Sequence, residues 1–246
     1  SWDWYVGSGH HDYLASAAIH DLTRGFKRRT FWLMETQPGN VNWSQVNNAL
    51  NRGETRAMAW HAVAHGADAV LYWQWRSALS GQEQYHGTLL DQAGQPRPFY
   101  SEVQQISQEF AAIAPQLAGY EPHARVALLN DYESRWSIQW QRHHKDFDYV
   151  NHFNHYYRPI ASLNVPIDIL SARQLTDASQ LRGYRLVIAP ALLVVSEQPV
   201  NALLEYAAQG GHLVLTLRSG MKDEYNALLP SRQPGPLAEP AGVEVE

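Results

Sequence analysis

Two short apolar runs punctuate the first half of the chain, and both end in polar residues. Thr30-Phe-Trp-Leu-Met-Glu35 is nearly continuous and closes on an acid. Ala69-Val-Leu-Tyr-Trp-Gln-Trp75 is the second such run. Runs this short, without strict alternation, predict strands buried in a parallel sheet. Helical spacing surrounds them. Tyr13–Arg28 places Leu14, Ala17, Ala18, Leu22 and Phe26 near one face, and Glu54–Gly66 does the same with Met58, Ala62 and His65. Pro38 and Gly39 make Thr36–Trp43 a loop, Arg76–Pro98 is a long polar loop, and Phe99–Leu117 closes with a helix.

Gly119 and Pro122 break the pattern, which predicts a boundary near residues 117–123 and two domains, 1–118 and 119–246. Beyond it the pattern repeats on a smaller scale. Strands are expected at Arg125–Leu129, Ile167–Leu170, Tyr184–Pro190 and His212–Leu217, with helices at Asp148–Leu163 and Pro199–Gln209. This is the pattern of a doubly wound α/β domain. It contains neither GxGxxG nor GxxxxGKS. The tail, Pro230–Glu246, is rich in Pro and Gly and reads as a linker.

Composition narrows the function. The 246 residues are 45% hydrophobic and 17% charged, ordinary for a globular chain. A net charge of −5 with scattered Lys and Arg gives no reason to expect nucleic acid or a membrane surface as partner. No apolar run approaches the ~20 residues of a membrane-spanning helix. The absence of cysteine excludes disulfides and thiolate metal sites and is compatible with the cytoplasm, which is the expected location. The N-terminal SWDWYVGSGHHDY lacks the pattern of a signal peptide and reads as a cut end. Nine Trp and thirteen Tyr stand out; core packing is the default reading of aromatics, and a carbohydrate site whose sugar rings stack on aromatic planes is the functional one.

In α/β barrels, functional residues sit at the C-terminal ends of strands and in the loops that follow. Glu35 ends one predicted strand, and Glu83 and His86 lie in the loop after the next. Glycoside hydrolysis needs carboxyl groups flanking the scissile bond, polar groups for the sugar hydroxyls and an aromatic wall for the ring face. The loop after Glu35 reads Thr-Gln-Pro-Gly39-Asn-Val-Asn-Trp43, and the second loop contains Gly81-Gln-Glu-Gln-Tyr-His86-Gly87.

E-x-x-x-G-x-x-x-W, then H-G-A-D, then W-R, then G-x-E-Q-Y-H-G, in that order, resembles the family-42 β-galactosidases. The resemblance spans nearly the whole chain. It implies the C-terminal portion of a (β/α)8 TIM barrel, followed by a flavodoxin-like α/β trimerisation domain related in fold to class I glutamine amidotransferases. By that resemblance Glu35 is the nucleophile, Trp43 lines the galactose subsite, and Trp73 matches an aromatic position on the last barrel strand. Glu83 and His86 match the pair that bonds galactose hydroxyls, and Arg76 is a supporting charge.

Two departures accompany it. The family's acid/base Glu lies on an earlier barrel strand, so the expected partners are a galactoside, an N-terminal barrel segment and, in the intact enzyme, two further copies in a homotrimer. The family's cysteine zinc cluster is also missing, so no metal and no cofactor are expected. The expected activity is therefore that of a retaining β-galactosidase whose isolated C-terminal part is inactive. The alternatives are a non-catalytic oligomerisation fragment and a sugar-binding module. His10-His11 with Asp12 and His143-His144 with Asp146 read as surface histidines, because adjacent side chains diverge; His152 and His155, three apart, could share a helical face but also read as surface histidines. Asp131 and Glu133 follow the first strand of the second domain, a position often functional in such folds. Amidotransferase chemistry needs a Cys nucleophile, which the chain lacks.

Overall fold

In the computed structural model, which describes residues 1–245, the chain divides into two compact units, Ser1–Pro122 and His123–Glu246. In the first unit β1 (Trp2–Trp4), β2 (Phe31–Thr36) and β3 (Ala67–Tyr72) form a parallel sheet in the order β1-β2-β3. α1 (Tyr13–Gly25), α2 (Glu54–Ala64) and α3 (Tyr100–Leu117) follow the strands in turn. Sequential parallel strands, each followed by a helix, are the repeat of a β/α barrel.

The ends of these elements follow local chemistry. Asp12 caps α1 by accepting from the amides of Leu14 and Ala15. The helix stops at Gly25, short of the predicted Arg28, which itself sits at a φ of 49° that no helix accepts. Phe26, expected on the buried face, is 42% exposed. β3 starts and ends earlier than its apolar run because its pairing stops where β2 stops, at Thr36. Phe31 and Leu33 pack with Ala62 of α2 and with Ala67. Alternation puts Trp32 and Met34 on the opposite face, where they are exposed. The strand predicted to be buried on both faces is therefore buried on one.

In the second unit β4 (Val126–Asn130), β5 (Ile167–Ser171), β6 (Leu186–Ala189) and β7 (His212–Leu215) pair in parallel in the order β5-β4-β6-β7. This is the doubly wound arrangement of a flavodoxin-like fold. Its helices are α4 (Tyr132–Trp140), α5 (Tyr149–Ala161), α6 (Glu197–Ala208) and the short α7 (Ala238–Ala241). The central strands are buried at every position of β4, and Leu129, Leu170, Val187, Leu203 and Tyr206 share one core. The sequence pattern misses α4. The tail is not a linker as far as it is described: Leu237 is fully buried in that same core, and Gln233 bridges to Val245.

Candidate active site

Parallel pairing sets Asp3 of β1 opposite Glu35 of β2 and carries the chain on to Tyr5, just past the strand. There the Tyr5 hydroxyl donates to Glu35 Oε2 at 2.9 Å. Burial, and secondarily the bond to Glu35, pushes the Tyr5 pKa well up, so its proton stays in place as a donor to the carboxylate. The Tyr5 ring meets Trp43 edge-on at 5.9 Å and His86 edge-on at 6.0 Å. One side chain thus joins a strand residue to residues from two loops.

His86 is 1% exposed. Its Nδ1 lies 3.4 Å from Asn42 Oδ1 and 3.6 Å from Glu83 Oε2. Two oxygens facing Nδ1 favour the tautomer with the proton there, which leaves Nε2 as an acceptor. Nε2 is buried without a hydrogen-bond partner. Burial lowers the His86 pKa, and the Glu83 carboxylate, a hydrogen bond to the Trp73 backbone and the Glu35 carboxylate oppose that shift. Glu83 Oε2 also accepts from Trp73 Nε1 at 3.3 Å. Trp43 and Trp73 are 58% and 40% exposed, so each offers an open indole face. Glu35, Trp43, Trp73, Glu83 and His86 are therefore linked in one chain of contacts through Tyr5. Arg76 is bonded elsewhere in its loop, donating to the Gln92 carbonyl at 2.9 Å.

The loops are fixed by backbone approach. The Gly87 amide donates to the Asn40 carbonyl at 2.7 Å. A Cβ at Gly87 would stand 2.5 Å from that oxygen and 2.6 Å from the Asn40 nitrogen, which is why this motif ends in glycine. Gln37 is fully buried and spans β1 and its own loop, accepting from the Val6 amide at 2.6 Å and donating to the Gly39 carbonyl at 2.7 Å. Asn42 donates to the Gln82 carbonyl. Tyr5, Gln37 and Asn42 were not singled out from the sequence. Their contacts span about thirty residues or more and depend on a strand pairing that no local pattern reveals. The aromatic density of Ser1–Tyr5 is the one local signal there.

The histidines expected at the surface divide. His10 is exposed and pairs with Glu54 at 3.1 Å, and His143, His144 and His155 are exposed. His11 is partly buried, 5.4 Å from the ring of His61, and His152 is partly buried with its Nε2 2.9 Å from Thr216 Oγ1. His11 belongs to a cluster between α1 and α2. His61 lies 5.6 Å from His20 and 4.6 Å from His65. Trp2 Nε1 donates to His20 Nδ1 at 3.2 Å, so that nitrogen must be unprotonated. Asp21 takes His65 Nδ1 and an Arg24 nitrogen, each at 2.7 Å. Among the described residues no group of three or more His, Cys, Asp or Glu is arranged to hold a metal ion. No described helix is long and apolar enough to cross a membrane.

In the second unit Asp131 is buried and caps α4, accepting from the Ser134 amide at 2.8 Å and its hydroxyl at 2.6 Å. Burial raises its pKa. Arg173 stands 3.6 Å from its other oxygen.

Comparison with known proteins now adds to this geometry. A family described as "Beta-galactosidase" matches residues 1–113, and one described as "Beta-galactosidase trimerisation domain" matches residues 124–246. The β-galactosidase BgaH of Haloferax lucentense is 41% identical over 226 residues, covering 92% of this chain and 32% of that protein. A polyextremophilic β-galactosidase from the Antarctic haloarchaeon Halorubrum lacusprofundi superimposes with a TM-score of 0.84 at 40% identity, over 93% of this chain and 33% of that one. The cold-adapted β-galactosidase of Rahnella sp. R3 gives a TM-score of 0.91 at 31% identity, over 100% of this chain and 36% of that one. The chain thus spans about a third of the length of the relatives it matches. Its first unit is part of a TIM barrel and its second an α/β domain.

Proposed function

Because this chain belongs to the glycoside hydrolase family 42 β-galactosidases, we propose that residues 1–122 hold the nucleophile half of a retaining galactosidase site, and that residues 123–246 hold three copies of the intact enzyme together. Glu35 attacks the anomeric carbon of a terminal β-D-galactoside and forms a galactosyl ester. The aglycone oxygen takes its proton from a second carboxyl group as the bond breaks. Water, deprotonated by that same group, then displaces Glu35 and releases galactose.

The chain's own residues supply the rest of the half-site. Tyr5 holds the Glu35 carboxylate in one orientation and sheds no proton. Glu83 and His86 bond galactose hydroxyls, with Glu83 as the exposed carboxylate of the pair. Trp43 and Trp73 give the ring its apolar walls. The hydrogen bond from Tyr5 to Glu35, inside a ring of aromatic and polar groups, is the observation that carries this reading. The acid/base carboxylate is assigned to barrel residues outside these 246. The mechanism calls for no cofactor, and a cytoplasmic location is part of the same reading, compatible with the cysteine-free composition.

The test is an aryl β-galactoside assay on the purified chain, alone and extended at its N-terminus to the length of its relatives. The extended protein turns over, and a 2-deoxy-2-fluorogalactoside labels Glu35 in it. The chain alone does not turn over. Robust hydrolysis by the chain alone, with mass spectrometry showing no companion polypeptide, refutes the half-site. The same assay separates it from a purely oligomeric role, under which the extended protein also stays inactive.

A further inference from the structure

α4 turns its largest side chains outward. Ser134 and Ile138 are buried, whereas Trp136 is 57% and Trp140 92% exposed. These indoles are one turn apart and share a face. Beside them runs the segment 222–228, anchored by bridges from Lys222 to Val194 and to Leu228. Its Tyr225 and Leu228 are 84% and 69% exposed. The Ser137 hydroxyl donates to Asn226 Oδ1 at 2.6 Å, and Lys222 Nζ donates to Ser137 Oγ at 3.2 Å and to Asn226 Oδ1 at 3.0 Å. These bonds tie α4 to the segment beside a notch of about 270 Å³, lined by Trp136 and Trp140 of α4, by Glu133, Glu224 and Asn226, and by Val194.

We infer that this notch is the surface on which a second copy of the chain docks, and that it receives a lysine or arginine side chain of that copy. The inference rests on the reading of residues 123–246 as a trimerisation domain, and deepens it by naming the face. Three observations carry it. All the residues involved lie within the stretch matched by the trimerisation family. Trp136 and Trp140 are large apolar side chains left exposed on one helix face, and Trp and Tyr dominate the energetic centres of protein contacts. A ring of three copies needs two different faces, one receiving and one inserted, and a notch is a receiving face. The choice of guest follows from charge. Glu133 and Glu224 bring carboxylates to the notch. The neighbouring cations are engaged within the unit, Lys222 by Ser137 and Asn226, and Arg135 over the Tyr132 ring at 5.9 Å. An aliphatic stem laid along the indoles with a cationic head beside carboxylates satisfies both chemistries.

Sedimentation velocity on the chain extended at its N-terminus to the length of its relatives, over a range of concentrations, tests this. Wild type self-associates. Trp136→Ala combined with Trp140→Ala sediments as a monomer at concentrations where wild type is assembled, with its circular dichroism unchanged. Glu133→Gln combined with Glu224→Gln weakens association at least tenfold at low salt, and added salt weakens wild type similarly. An unchanged mass for the tryptophan variant beside an assembled wild type overturns the assigned face and leaves the trimerisation reading standing. A wild type monomeric throughout overturns both. Galactose that quenches the fluorescence of wild type but not of the tryptophan variant, with no effect of the substitutions on mass, identifies a carbohydrate subsite and also overturns the docking proposal.

Discussion

At the scale of single residues, the proposed site turns on one hydrogen bond. The Tyr5 hydroxyl is tied to Glu35 and protected from ionisation by burial. Bonds to a charged acceptor contribute about 1.5–3 kcal/mol, and removing one that acts in the transition state lowers turnover by roughly 10- to 100-fold. Tyr5→Phe in the extended enzyme is expected to lower kcat by that factor with little change in KM, since the ring contacts survive. Steady-state kinetics on an aryl galactoside measures the split, and a change confined to KM would remove Tyr5 from the chemistry. Glu35→Gln lowers kcat on the order of 10³-fold or more. With Glu35→Ala, added azide restores turnover and yields the α-galactosyl azide, because azide enters from the nucleophile's face. A β-azide would reassign Glu35 as the acid/base. The place of Glu35 at a strand end was legible in the sequence because an acid closing an apolar run is a local pattern, whereas its proposed role comes from the family resemblance. Tyr5 was not, because its meaning comes from β1 lying beside β2.

At the scale of elements, two features make different demands. The loop after β3 meets the loop after β2 through Gly87, which has no space for a side chain. Gly87→Ala forces the Asn40 backbone away, and such overpacking costs about 1–3 kcal/mol. It is expected to raise KM for galactosides as His86 and Trp43 separate, and equilibrium unfolding compared with substrate kinetics tests both effects. The histidine cluster between α1 and α2 makes the first unit sensitive to pH. Burial lowers the pKa of His20 to about 2 and of His61 to about 3, with neighbouring imidazoles adding to the shift. Above a pH of about 6.5 these histidines are neutral in both the folded and unfolded chain and contribute no pH dependence. Below it the unfolded chain binds protons that the folded chain refuses. Stability is therefore lost as pH falls, by about 1.4 kcal/mol per unit for each histidine. Urea unfolding at pH 7 and at pH 5.5 is expected to show a loss of about 2–3 kcal/mol, partly abolished in His61→Gln. An unchanged midpoint would mean that the cluster protonates without cost. None of this was visible from spacing, which reads neighbouring histidines as divergent. They converge because Ser16 brings His11 Nε2 and His61 Nδ1 to 3.4 and 3.2 Å of one hydroxyl. α4 escaped for the opposite reason: its indoles face out, and a pattern that equates aromatics with burial cannot find a helix that buries Ser134 and Ile138 instead.

At the scale of the whole molecule, the two units differ in what their sheets leave open. The strand patterns foretold both parallel sheets, because a buried run is a property of the strand itself. They did not foretell which face is covered, because that depends on the partners of the sheet. In the second unit β4 is buried at all its positions, and α6, the short turns Ala172–Gln174 and Ala178–Leu181, and Leu237 close over the core. In the first unit β1 and β3 are edge strands, and Trp32 and Met34 stand 52% and 38% exposed on the open face of β2. A three-stranded sheet with apolar groups on an uncovered face and two unpaired edges attracts other strands and aggregates. Residues 123–246 expressed alone are therefore expected to unfold in one cooperative transition. Residues 1–122 alone are expected to bind a hydrophobic dye and to sediment as aggregates, until the preceding barrel strands are supplied in the same chain. Parallel thermal melts and dye titrations of the two halves decide the matter. A sharp transition without dye binding in residues 1–122 would mean that three β/α repeats are stable by themselves. The exposed face of β2 would then need an occupant other than the rest of a barrel.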